Sequence, residues 1–293
     1  MMKIGLNTNT FPGEKLDVLI PMAKDFGIRY LELWGSNLES NGKEAVNYYA
    51  FSDKDLKKAK KQIENAGLTV GSVSSGLGLD SMMTSDPKAF SDELVAAVEA
   101  AAFFGARVVN HYSDKIQPGT VPELGRLHEY FDAALKKAEE LGVVLALENE
   151  ACDASGIPEN MLEIVKDFNS PNFKTNFDAT NYYHASCEAF PYAYELLRDE
   201  IAYVHIKNGR IYRPGGYCPD TKWYGTSMTR TAGTIYYCEA KDGVVNIDGL
   251  LRRLAADGYD FMCTLEPHTT RQNAIDCIHN EVAYLKGTGL FED

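Results

Sequence analysis

Short apolar runs rich in β-branched and aromatic residues alternate with longer amphipathic stretches along the whole chain. That is the pattern of repeated βα units built around a parallel sheet. Eight runs are predicted as strands, over residues 3–7, 30–34, 69–73, 107–111, 143–148, 173–178, 202–206 and 261–266. Helices are predicted over 53–65, 88–104, 123–141, 160–168, 247–257 and 272–286. Gly67, Gly105, Gly142 and Gly258 each stand where a helix must end before the next strand, the position that calls for a left-handed residue. Thr120-Val121-Pro122-Glu123 reads as a capping box opening a helix. Eight strands alternating with helices predict an α/β chain folded as a (β/α)8 TIM barrel, a single domain over 1–293, with a doubly wound open sheet as the structural alternative.

One stretch breaks the rhythm. After the seventh strand, residues 208–246 are rich in Gly, Tyr, Thr and Arg and hold no convincing long helix. Loops of that length are uncommon inside compact barrels and often functional, so this insertion is a candidate lid or specificity loop. A plain insertion or an oligomer contact is the other reading. Within it, Pro214-Gly215-Gly216 lies where barrels often bind phosphate, but no helix start follows it and a simple turn accounts for it.

Length and composition narrow the function. A chain of 293 residues lies in the range where a barrel folds as one unit. No apolar run approaches the roughly 20 residues that span a bilayer, so a membrane role is not expected. The N-terminus enters a strand directly without a leader pattern, and the expected location is cytoplasmic. A net charge of −13 would repel a phosphate backbone, which argues against a nucleic-acid partner. Cysteines 152, 187, 218, 238, 263 and 277 never form a Cys-x-x-Cys pair and are read as reduced and structural.

Active sites of such barrels lie at the C-terminal ends of the strands, so the last residues of each strand carry the chemistry. Glu148 closes strand five, Asp178 strand six and Glu266 strand eight, with His205 near the end of strand seven. All four are hard or borderline metal ligands on consecutive strands. Side-chain alternation places Glu148 on the face of Ala146 and Val144, and Glu266 on the face of Thr264 and Met262. Any one acid could simply cap a helix or pair with a surface base. Four together on apolar strands are costly unless a cation neutralises them.

The segments around these residues are Ala146-Leu147-Glu148-Asn149, Asn176-Phe177-Asp178-Ala179-Thr180-Asn181, Tyr203-Val204-His205-Ile206-Lys207 and Thr264-Leu265-Glu266-Pro267-His268. With them the chain resembles the xylose-isomerase-like TIM-barrel superfamily of sugar isomerases and ketose 3-epimerase-like enzymes over nearly its whole length. The resemblance implies that Glu148, Asp178, His205 and Glu266 hold one divalent cation, manganese first, with magnesium, cobalt or zinc as alternatives. It implies further that Glu148 and Glu266 are the catalytic bases, one removing a proton beside a sugar or polyol carbonyl and the other returning it. A bound cation would polarise that carbonyl and stabilise the enediolate.

Other residues are candidates for substrate contact: His111 at the end of strand four, Asn181, Lys207, Arg210 with Arg213 nearby, and Trp34 with Tyr112 and Tyr182 as stacking aromatics. Each has a plainer reading, a locally satisfied histidine, a solvent-facing lysine or a core aromatic. His268 is expected to support Glu266 from behind. Asn181 stands where many relatives carry histidine, a departure that leaves the reaction open. A metal-dependent lyase or dehydratase on a keto-sugar, inosose or C-glycoside is one alternative, and a non-catalytic sugar-binding or partner subunit another. An abasic-site endonuclease is a distant third, because strand three ends in Val73-Ser74-Ser75-Gly76 and most of that group's extra histidines are missing. Assembly as a homo-oligomer is left open.

Overall fold

A computed structural model describes residues 1–40, 48–75, 87–113, 121–151, 153–212, 226–228, 234–270 and 273–292. Eight parallel strands close into a barrel: β1 (Lys3–Asn7), β2 (Tyr30–Trp34), β3 (Thr69–Ser74), β4 (Val108–His111), β5 (Val144–Glu148), β6 (Phe173–Asp178), β7 (Ile201–Ile206) and β11 (Met262–Leu265). Their order around the barrel is β1-β11-β7-β6-β5-β4-β3-β2, so the doubly wound alternative falls away. Closure leaves no strand edge unpaired.

Among the described residues the helices are α1 (Leu16–Asp25), α2 (Asp53–Asn65), α3 (Pro87–Phe104), α4 (Leu124–Leu141), α5 (Pro158–Phe168), α6 (Ala179–His184), α7 (Tyr194–Leu197), α8 (Ile247–Ala256) and α9 (Ala274–Gly287). None is long and apolar enough to cross a membrane. The apolar faces of the longer helices pack on the outward faces of the strands in one core that includes Phe131, Phe173, Leu145, Leu250 and Ile278. Gly142 takes the left-handed conformation predicted for it and ends α4. The capping box is elsewhere. Thr120 lies outside the described residues, and α4 starts at Leu124 with Glu123 making no side-chain cap. The box forms at α2, where the Ser52 hydroxyl and the Asp55 carboxylate serve each other's backbone amides.

The barrel interior has a floor and a mouth. Val108, Ala146, Tyr203, Phe261 and Met262 pack together as the floor. Gly5 makes room for it, because a Cβ there would lie 2.6 Å from both Cγ and Sδ of Met262. Alternation along the strands then raises Glu32, Asn110, Glu148 and His205 above that floor, towards the mouth.

The segment after β7 is a small antiparallel sheet. Its strands β8 (Asn208–Tyr212), β9 (Thr226–Met228) and β10 (Thr234–Cys238) lie in the order β8-β10-β9. Asn208 pins its root. The buried amide donates to the carbonyls of Ala240 at 2.7 Å and Val245 at 2.9 Å, and its oxygen accepts from the Val245 amide at 3.1 Å. Arg213, Pro214, Gly215, Gly216 and Cys218 lie outside the described residues, as do Gly76 and Cys152. Cys238 and Cys263 are free thiols.

Candidate metal and active site

Four consecutive strands deliver one cluster. Around the barrel β11, β7, β6 and β5 are neighbours, and they bring Glu266, His205, Asp178 and Glu148 together at the mouth. One ligand atom of each lies within 4.8 Å of all the others. Glu266 sits one residue beyond β11, and its amide extends the ladder by donating to the Ile206 carbonyl at 3.1 Å.

Asp178 divides its two oxygens. Oδ1 accepts from the Asn181 amide at 2.8 Å and so caps α6, while Oδ2 lies 3.0 Å from Lys207 Nζ. The capping reading of this acid is therefore met, and the same side chain also lies in the candidate metal cluster. Asn149 fixes its backbone from the next strand, donating to the Asp178 carbonyl at 2.9 Å and accepting from the Asp178 amide at 2.8 Å.

His205 is buried and uses both ring nitrogens. Nδ1 faces Glu148 Oε1 at 3.2 Å and Glu266 Oε2 at 3.4 Å, and Nε2 meets Glu32 Oε2 at 2.6 Å. Burial alone would lower its pKa, but the carboxylates of Glu148, Glu32 and Glu266 override burial and hold it well above the ordinary histidine value. Lys207 is not solvent-facing. It is buried with Nζ 2.7 Å from Glu266 Oε2, and Asp178, Glu266 and Glu148 raise its pKa well above normal against the pull of burial. Burial raises the pKa of Asp178, with Lys207 opposing. For Glu266 the balance reverses: burial is outweighed by Lys207 and His205, which keep its carboxyl well below the usual range.

The donor set fits a divalent cation. Three buried carboxylates, Glu32, Glu148 and Asp178, and the partly exposed Glu266 stand against two basic side chains, His205 and Lys207, so the acidic groups outnumber the basic ones. Three carboxylates and one imidazole form a mixed oxygen and nitrogen set of the kind that takes magnesium, manganese, cobalt or zinc.

Amides tune the carboxylates. Asn7 Nδ2 donates to Glu266 Oε1 at 3.2 Å, Asn110 Nδ2 to Glu148 Oε2 at 2.9 Å, and Asn181 Nδ2 to Glu148 Oε1 at 3.4 Å. Asn176 in turn donates to Asn110 Oδ1 at 3.0 Å. Beside Glu266 opens a cleft of about 290 Å³ lined by Asn7, Asn9, Thr10, His268 and Thr269. The volume is near the lower end of the ~300–1,000 Å³ usual for small-molecule pockets, and Pro12 and Pro267 complete a lining that is part polar and part apolar.

The other predicted residues separate into those that reach the mouth and those that do not. Trp34 shares a strand face with Glu32, and its ring centroid lies 6.4 Å from that of Tyr112. His268 stacks on Tyr237 at 4.3 Å, and its Nε2 lies 3.3 Å from Lys207 Nζ but 3.9 Å from Glu266 Oε2, so it backs Lys207 more closely than Glu266. His111 does not join the cluster. Its ring packs edge-on against Phe131 at 4.8 Å and Phe173 at 5.6 Å in the layer between sheet and helices, and burial pushes its pKa down to about 3. The strand-four residue that reaches the site is Asn110, one position earlier and on the opposite face. Arg210 is exposed and binds the backbone carbonyl of Asp242, at 2.9 Å from Nε. Tyr182 is fully buried against Phe177 and forms core rather than a sugar platform.

The sequence matches the model of the xylose isomerase-like TIM barrel family over residues 20–288. The chain belongs to this family. No curated protein sequence matches it. Among solved structures, a probable 3-DHS dehydratase of petrobactin synthesis from Bacillus anthracis is 19% identical, with a TM-score of 0.70 over 97% of this chain and 99% of that one. An L-ribulose 3-epimerase is 16% identical, with a TM-score of 0.69 over 98% and 94%. A xylose isomerase-like TIM barrel protein from Mycobacterium smegmatis in complex with magnesium is 17% identical, with a TM-score of 0.70 over 98% and 96%. At these identities the likeness establishes the shared barrel.

Proposed function

We propose that this chain is a divalent-metal-dependent isomerase or epimerase that moves a proton beside the carbonyl of a small sugar or polyol. The observation that carries the reading is the convergence of Glu148, Asp178, His205 and Glu266 within 4.8 Å at the barrel mouth, next to a small cleft. Those four residues would hold the cation, with manganese, magnesium, cobalt or zinc all compatible with the donor set. When bound, it supplies Lewis-acid polarisation of the substrate carbonyl.

The chain's own residues supply the rest. Glu148 and Glu266 stand at the two ends of the row of four strands, so they approach the cluster from different arcs of the barrel. In this reading one removes a proton and the other returns it, which is what inversion of a carbon centre requires. Asn110 and Asn181 orient Glu148, and Asn7 orients Glu266. The Lys207 ammonium beside Glu266 offers a fixed positive charge to a developing oxyanion. The polar lining of Asn7, Asn9, Thr10 and Thr269 suits the hydroxyls of the substrate chain.

Elimination is the second reading, favoured by one observation. The buried Lys207 donor adjoins a catalytic acid, where it would hydrogen-bond a departing hydroxyl. The endonuclease reading loses support, because His111 turns away from the cluster and cannot extend it to further ions. A panel of ketoses and inososes, assayed for solvent deuterium uptake with each metal restored in turn, tests the reading. Deuterium entering a substrate with inversion supports epimerisation, and loss of water supports elimination. A metal-loaded protein that exchanges no proton on any member would sink both.

A further inference from the structure

Glu32 lies in the middle of β2, between Leu31 and Leu33, and is completely buried. Its carboxylate crosses the barrel interior to a strand three places away around the sheet, where Oε2 meets His205 Nε2 at 2.6 Å. The same oxygen accepts from the Tyr203 hydroxyl at 2.6 Å, and that hydroxyl lies 2.5 Å from Thr264 Oγ1 on the floor below. The other oxygen, Oε1, makes no hydrogen bond. A buried carboxylate is costly unless paired, and here its partners are the candidate metal ligand and the tyrosine two residues before it.

We propose that Glu32 is a positioning residue, fixing the His205 ring so that Nδ1 presents its lone pair to a divalent cation held with Glu148, Asp178 and Glu266. This rests on the metal-site reading above. An imidazole can ligate through a nitrogen only when that nitrogen carries no proton, and a partner on the opposite nitrogen decides which one is free. Glu32 accepts a hydrogen bond from Nε2–H, so Nδ1, which faces Glu148 and Glu266 at 3.2 and 3.4 Å, is the nitrogen whose proton a cation would displace. Tyr203 and Thr264 hold the carboxylate from beneath, so the ring cannot rotate without breaking that column.

The test compares wild type, Glu32→Gln and Glu32→Ala for Co2+ affinity by chelator competition, with the absorption bands of the bound cobalt and the melting temperature of the metal-free proteins measured alongside. Glu32→Ala is expected to bind cobalt roughly 10- to 100-fold more weakly with altered bands, the usual effect of losing such a partner. Glu32→Gln, whose amide oxygen still accepts the Nε2 proton, is expected to lose less. Folded variants that bind cobalt within about two-fold of wild type, with unchanged bands, overturn the proposal even if they melt at lower temperature. If Glu32→Ala does not fold, Glu32→Leu, which fills the space but offers no acceptor, decides by the same criteria. A wild type that takes up no cobalt overturns the metal-site reading and this role with it, whereas equal binding by all three proteins overturns this role alone.

Discussion

Two histidines lie near the C-terminal ends of strands three places apart in the same barrel, both fully or almost fully buried, and their surroundings push them in opposite directions. His205 on β7 points inward among Glu32, Glu148 and Glu266, and its pKa is raised. His111 on β4 points outward between phenylalanines, and its pKa falls to about 3. The residue type and the place at a strand end are shared. Only the face differs, and a strand changes face at every residue. Chemistry at the mouth of this barrel is therefore a matter of parity, and a histidine one position out of phase becomes packing.

The largest effect expected from breaking the comparison is on the inward side. Glu266→Gln and Glu148→Gln should each lower proton exchange on substrate by about 10²–10⁴-fold, measured as deuterium uptake. His205→Ala should remove the bound cation, read by metal analysis of protein purified without chelator. His111→Leu should leave metal content and exchange within about two-fold, and a comparable loss of metal in this variant would refute the division drawn between the two rings.

The next effect is on the pH dependence of stability. His111 has a folded pKa of about 3 against 6.5 for an ordinary histidine, so below pH 6.5 the unfolded chain takes up a proton that the folded chain refuses. Stability from this group is complete above pH 6.5 and is lost as pH falls towards 3, by on the order of 5 kcal/mol in total. His111→Leu should flatten that acid limb in urea titrations run from pH 7 to 4.

A buried acid on the outer layer sharpens the comparison with the opposite sign. Glu281 on α9 accepts from the Ala240 amide at 2.7 Å beneath the root of the small antiparallel sheet, and burial raises its pKa to about 8 from 4.5. Its contribution is present below pH 4.5 and declines as pH rises to 8, so Glu281→Gln should hold its melting temperature between pH 5 and 8 better than wild type does. The smallest effect is expected at Arg210, which is exposed and bound to a backbone carbonyl. Arg210→Ala should change stability by less than about 0.5 kcal/mol and exchange by less than two-fold.

Much of the site was legible in the chain because parallel strands stand in register around a closed barrel. Reading the last residues of four successive strands found Glu148, Asp178, His205 and Glu266 without knowledge of any contact. The same rule, applied to strand ends alone, passed over Glu32, which sits mid-strand, and preferred His111 to Asn110, which shares its inward face with Val108. A charged residue flanked by Leu31 and Leu33 was the signal available for Glu32. For Lys207, a residue beyond the strand reads as solvated until Asp178 and Glu266 are placed around it.

The sequence by itself located the eight barrel strands and the four residues that converge at their ends, because hydrophobic periodicity and strand order are local and cyclic properties of the chain. Tertiary structure alone decided which nitrogen of His205 faces the cluster, that Lys207 is buried, that 208–212 and 234–238 pair as strands, and that His111 is packing. Those outcomes depend on side chains up to 173 positions apart in sequence meeting across the barrel, and no local pattern carries that distance.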